Sequence, residues 1–239
     1  MVLNFAHRGS LTEAPENTVA AMKKAIAHGA QGIELDVQLT KDNYLIVIHD
    51  HHVRRFNKAV KGNVRDYTLA ELKQIDIGSS FSEKFAHERL ATLEEVLEII
   101  PKEIQLNIEI KNAPIMYENI EAILLACLRH RERTENTIIS SFDHQALVRI
   151  EQEEPNMMIG LLLKQQIIKP WQYAQNSGLN VYSIHPDKIH VNQELIVSCH
   201  DAGYKVFPYT VNDIATYEQL SSWGIDGVFS NNPAIFSDR

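Results

Sequence analysis

The residues whose types and spacing could do chemistry are three carboxylates, two histidines and two cations. His7 and Arg8 stand together near the start, Glu34 and Asp36 are two apart, His49 follows, and Glu109 and Lys111 are again two apart. Three carboxylates with no sulfur ligand suit an oxygen-loving divalent ion, Mg²⁺ or Ca²⁺. An ion that stays partly hydrated keeps open positions for substrate oxygens. Arg8 offers a planar fork that matches phosphate oxygens, and Lys111 a point charge. Two imidazoles that titrate near neutrality can serve as general base and general acid. The reaction class that uses every one of these parts is metal-assisted phosphodiester cleavage. Each residue alone has a blander reading, a solvated strand carboxylate or a hydrogen-bonding surface histidine, and the chain's other histidines keep it.

The elements that must position these groups can be read from periodicity. Ile33 to Thr40 alternates apolar and polar residues, the signature of a half-buried strand that sends Glu34 and Asp36 to one face. Tyr44 to Ile48 is rich in β-branched residues and reads as its hairpin partner. Asp42-Asn43 tolerates the positive φ of a tight turn. A two-residue loop there pairs Lys41 with Tyr44 and puts Asp36 opposite His49, on the face shared with Glu34. A slip of one residue would send His49 to the opposite face.

Before the hairpin, Leu3 to Ala6 reads as a strand ending at His7, and Asn17-Thr18 opens a helix that Gly29 stops. Residues 51–91 are irregular and polar, an insertion read as a solvated cap. Thr92 then caps a helix with an acidic first turn. From Gln105 onward strands alternate with helices: Gln105–Ile110, Thr137–Ser141, Met158–Leu163, Val181–Ile184, Lys205–Thr210 and Gly227–Ser230. Such alternation implies parallel strands with helical crossovers. Leaving out the hairpin partner, eight strands result, the number that closes a (β/α)8 TIM barrel. The expected architecture is one domain over 1–239, with a β-hairpin and small insertion after the second barrel strand. An open doubly wound sheet is the alternative, but no G-x-G-x-x-G follows the first strand. In a barrel, chemistry sits at the carboxyl ends of the strands. His7, the Glu34–Asp36 pair and the Glu109–Lys111 pair all fall toward those ends. Glu109 and Lys111 alternate with Ile108 and Ile110, so both should point into the mouth.

Composition narrows the class further. A net charge of −8 argues against a general nucleic-acid binder. No apolar run is long enough for a transmembrane helix, and the first residues lack a secretory pattern. Cys127 and Cys199, without CxxC spacing, read as reduced residues of a cytoplasmic protein.

Taken in order, His7-Arg8-Gly9, Pro15-Glu16-Asn17-Thr18, Glu34-Leu35-Asp36-Val37, His49-Asp50 and Glu109-Ile110-Lys111 resemble the motifs of the glycerophosphodiester phosphodiesterases. The likeness continues through Thr68–Leu72, Thr92–Leu97, Ser141-Phe142, Thr210-Val211-Asn212 and Gly224–Gly227, and so covers nearly the whole chain. Any one motif is weak; the ordered set is highly specific. The resemblance implies a barrel with an insertion after its second strand, a divalent cation on Glu34, Asp36 and Glu109, and acid–base work by His7 and His49. Arg8 and Lys111 would hold the phosphate of a small-molecule glycerophosphodiester, cut to sn-glycerol 3-phosphate and an alcohol. Asn17 is read either as a helix cap or as a ligand contact. A lysophospholipase D and a catalytically silent phosphometabolite-binding barrel are the rival readings. Three stretches depart from the family pattern: Arg54-Arg55-Phe56, Ser230-Asn231-Asn232-Pro233, and Tyr209 at a position often held by Trp. The first and last of these flank the alcohol side of the pocket and bear on leaving-group preference, not on the chemistry.

Overall fold

In the computed structural model, residues 2–236 are described; Met1 and residues 237–239 of the expected 1–239 span lie outside them. Eight parallel strands run around a barrel: β1 (Leu3–His7), β2 (Gly32–Leu39), β4 (Gln105–Ile110), β5 (Thr137–Ser141), β6 (Met158–Leu163), β7 (Val181–Pro186), β8 (Lys205–Val206) and β9 (Gly227–Ser230). The order β8-β7-β6-β5-β4-β2-β1-β9 is sequential, and β3 (Leu45–Val47) pairs antiparallel with β2 outside that path. β8 is shorter than the expected Lys205–Thr210 because Pro208 lacks the N–H a ladder needs. The seam between β8 and β9 is bridged instead by Asp226 N–H to Val206 O, Phe229 N–H to Pro208 O and Val211 N–H to Phe229 O.

Between the strands lie α1 (Val19–Ala27), α2 (Leu69–Leu72), α3 (Leu93–Ile99), α4 (Ile120–His130), α5 (His144–Glu153), α6 (Pro170–Asn176), α7 (Gln193–Asp201) and α8 (Ile214–Ser222). Their starts follow from capping chemistry. Thr18 accepts from Ala21 N–H, Thr92 forms a reciprocal box with Glu95, and Asp143, Asn192 and Asp213 cap α5, α7 and α8. The helices pack over the outward-facing residues of the strands, Ile33, Leu35 and Val37 among them.

β2 alternates as expected but is not half-buried, because every one of its residues is enclosed. Its polar face lines the barrel interior, not solvent. Below that polar level the barrel is plugged by Phe5, Ile138, Phe207 and Phe229. The His185 ring sits 5.1 Å from that of Phe229, fully buried. Gly32 makes the plug possible, since a Cβ there would stand 2.3 Å from the Phe5 ring.

Two details of the hairpin region differ from expectation. The register pairs Leu39 with Leu45 and Val37 with Val47, one residue off the predicted pairing. The loop is three residues, 41–43, closed by Thr40 N–H to Tyr44 O, with Asn43 in the left-handed region (φ 63°). A type I turn completed by a left-handed residue gives this length, and Asn43 satisfies it as readily as the shorter turn. The stretch 51–91 is also more than a solvated cap. It holds short helical turns and buries Val53, Val64, Leu72, Ile77 and Leu90 against Ile46 and Ile48.

Candidate active site

The seven residues singled out by type and spacing meet at the carboxyl end of the barrel. A hollow of about 890 Å³ is lined by His7, Arg8, Glu34, His49, Glu109 and Lys111, and Asp36 lies fully buried beside them. The register explains the carboxylate cluster. Glu34 and Asp36 share a face of β2, and the β2–β4 ladder sets Asp36 level with Glu109. One oxygen from each of Glu34, Asp36 and Glu109 lies within 4.8 Å of the others.

Electrostatics shows what this arrangement favours. Burial, followed by the Asp36 charge, lifts the Glu34 carboxyl well above its ordinary value. Burial lifts Glu109 to about 7, against the pull of the Lys111 ammonium 2.7 Å away. Asp36 is the exception: burial works against its charge, but Arg8 and Lys111 outweigh it and hold the carboxyl at about 2. Asp36 Oδ1 is buried without a hydrogen-bond partner. Three crowded oxygen donors, two of them resisting ionisation and one with no hydrogen bond and only a 3.8 Å ion pair to Lys111, fit a hard divalent cation.

The surrounding loops explain the motif residues. Arg8 adopts φ 58° and Gly9 φ 82° in the turn after β1, and a Cβ on Gly9 would stand 2.7 Å from the Ala21 backbone. Arg8 Nε reaches to 3.3 Å from Asp36 Oδ2, and its Nη1 donates to Glu16 at 3.2 Å. Asn17 does not cap α1, since Thr18 does; its Nδ2 donates to Asp36 Oδ2 at 2.9 Å. The Pro-Glu-Asn-Thr motif thus holds both the guanidinium and a carboxylate of the cluster.

The imidazoles have different partners. His7 Nδ1 lies 2.6 Å from Asn231 Oδ1, so its Nε2 faces the hollow. His49 Nδ1 lies 2.8 Å from the Asp50 carboxylate. Burial lowers both rings below the usual histidine value, His7 to about 4. The rest of the lining is largely apolar and aromatic, with Phe142, Leu162, Leu163, Ile167 and Tyr209.

His49 is not opposite Asp36 in the ladder; with the observed register that place belongs to Ile48, whose N–H donates to Asp36 O. His49 reaches the hollow from the loop that leaves β3. Sequence reasoning gave no role to Asp50 or Gln38, and Asn231 entered only as a departure from pattern. Gln38 and Asn231 meet partners remote in the chain, Tyr117 and His7, whereas Asp50 bonds its own neighbour His49.

The sequence profile of the glycerophosphoryl diester phosphodiesterase family matches residues 7–235. The chain belongs to this family. A glycerophosphodiester phosphodiesterase of Caldanaerobacter subterraneus subsp. tengcongensis is 43% identical over 97% of this chain and 94% of its own. One of Bacillus subtilis is 34% identical over 98% and 85%. An Oleispira antarctica phosphodiesterase, solved with the product sn-glycerol-3-phosphate, is 30% identical, covering 99% of this chain and 95% of its own, at a TM-score of 0.90. Family membership makes the chain a phosphodiester hydrolase on a TIM-barrel scaffold. Among the described residues no helix is long and apolar enough to cross a membrane.

Proposed function

We propose that this family member hydrolyses glycerophosphodiesters to sn-glycerol 3-phosphate and an alcohol, using a divalent cation on Glu34, Asp36 and Glu109 and acid–base work by His7 and His49. The observation that carries the reading is the meeting of three carboxylate oxygens within 4.8 Å of one another beside two cations and two imidazoles in one hollow. The cation, Mg²⁺ or Ca²⁺, would supply Lewis-acid stabilisation of charge on the phosphoryl oxygens.

The protein groups then divide the work. Arg8 and Lys111 face the hollow and would orient the phosphate in the pose for in-line displacement. The His7 Nδ1–H donates to the neutral Asn231 amide, leaving Nε2 as a lone pair that takes the proton of the attacking hydroxyl. That hydroxyl is water, or a neighbouring glycerol oxygen; the glycerol route expels the alcohol to leave a cyclic phosphate, which water then opens to sn-glycerol 3-phosphate with the two imidazoles exchanging roles. The Asp50 carboxylate at His49 Nδ1 works against the burial that lowers this ring overall, and Nε2–H gives its proton to the departing alkoxide.

Turnover of glycerophosphocholine with added Mg²⁺ or Ca²⁺ tests this directly. Activity should disappear with EDTA, and His49→Ala should lower kcat by about 10²–10⁴-fold with metal binding intact. Activity that survives EDTA, or a His49→Ala protein at the parent rate, rejects the assignment. The wall of Phe142, Leu162, Leu163 and Ile167 favours one second reading, a diester whose alcohol side carries a lipid chain. Rates on lysophosphatidylcholine and glycerophosphocholine, compared side by side, separate the two.

A further inference from the structure

We propose that Gln38, anchored by Tyr117, is the positioning residue that holds His49 at the mouth, an inference that rests on the acid–base reading above. Gln38 continues the Glu34–Asp36 face of β2 and is fully buried. The two protons of its Nε2 are shared among three successive carbonyls, Ile48 O at 2.9 Å, His49 O at 3.0 Å and Asp50 O at 3.0 Å. Its Oε1 accepts from the Tyr117 hydroxyl at 2.7 Å, which fixes which end of the amide meets the loop.

The physical need for such a clamp follows from the register. β3 ends at Val47, so His49 lies beyond the ladder and draws no position from strand pairing. Three carbonyls curled onto one amide define the path of the loop. Without those bonds the buried Ile48 carbonyl and the half-buried carbonyls of His49 and Asp50 would be short of a donor. Tyr117 ties the far side, because its own N–H donates to Asn112 Oδ1 at 3.2 Å and Asn112 follows Lys111. The clamp therefore spans from the loop carrying His49 to the segment carrying Lys111. A second staple runs beside it, His51 Nε2 to Ala113 O at 2.8 Å. Gln38 lies behind the wall of the hollow, and of the residues it bonds directly, His49 is the one that lines the hollow.

The test is a double-mutant cycle of Gln38→Met and His49→Ala, assayed on glycerophosphocholine with Mg²⁺, with Mg²⁺ affinity measured by calorimetry. Gln38→Met should lower kcat about 10–100-fold, the loss expected when a proton-transfer group shifts by about an ångström. KM and Mg²⁺ affinity should hold, and the loss should vanish in the His49→Ala background. Tyr117→Phe, a milder change, should show a smaller loss of the same kind and carries the test should Gln38→Met not fold. Parent kcat in these variants, or a loss that multiplies fully with His49→Ala, overturns the proposal. A His49→Ala protein as fast as the parent overturns the acid–base reading beneath it, and the proposal with it.

Discussion

Acidifying the protein in the presence of Mg²⁺ should weaken metal binding steeply. The cation binds carboxylates only after they lose their protons, so a proton held on the cluster competes with it. Without the metal, burial lifts Glu109 to about 7 against Lys111, and burial with Asp36 lifts Glu34 well above its usual value. Asp36, held at about 2, stays ionised throughout. The sign is therefore fixed: affinity is full well above pH 7 and falls as pH drops through the carboxyl range. For one group titrating near 7, moving from pH 8 to pH 5.5 protonates it and costs about 30-fold in affinity, or about 2 kcal/mol. Glu34 can only steepen that slope. Isothermal titration of Mg²⁺ at both pH values, in two buffers of different ionisation heat, reads the affinity and the protons released. Glu109→Gln should bind more weakly at pH 8 but with a flatter dependence. An affinity that stays level from pH 8 to 5.5, with no proton released, would refute the argument from crowded carboxylates.

Two further outcomes follow from the structure. Asn17 has φ 58°, which glycine adopts freely, so Asn17→Gly removes the bond to Asp36 without straining the backbone; Mg²⁺ affinity should fall about 10-fold or more while thermal stability changes little. His185, fully buried and without a charged partner, is lowered by burial to about 3, and the unfolded ring titrates near 6.5. The unfolded chain thus binds the extra proton between those values, and stability drains away as pH falls from about 6.5 toward 3, at up to about 1.4 kcal/mol per unit. His185→Gln should flatten that part of a denaturant-melt series against pH, and an unchanged slope counts against the buried neutral ring.

The sequence carried the barrel because its signals are local. Caps such as Thr92 with Glu95 and apolar strands such as Met158–Leu163 are set by near neighbours and by periods of two and 3.6 residues. The same locality placed Glu34 and Asp36 on one face, since alternation along a strand needs no tertiary contact. What failed was the hairpin. Asn43 serves a two-residue or a three-residue turn equally well, and the choice between them moves every later residue by one register step. His49 still arrived at the hollow, because the chain leaves the ladder after Val47 and curls onto Gln38.

The amino-acid sequence by itself determined which side chains were available, the strand ends that bear them, and the reaction class their types can run. Tertiary structure alone decided how they stand to one another. The β2–β4 register brings Asp36 level with Glu109, Asn231 arrives from 224 residues away to fix the His7 ring, and Asn17, open between cap and ligand contact, holds the Asp36 carboxylate. Pairing between distant strands depends on closing the barrel around a packed interior, a condition on the whole chain that no short window of sequence contains.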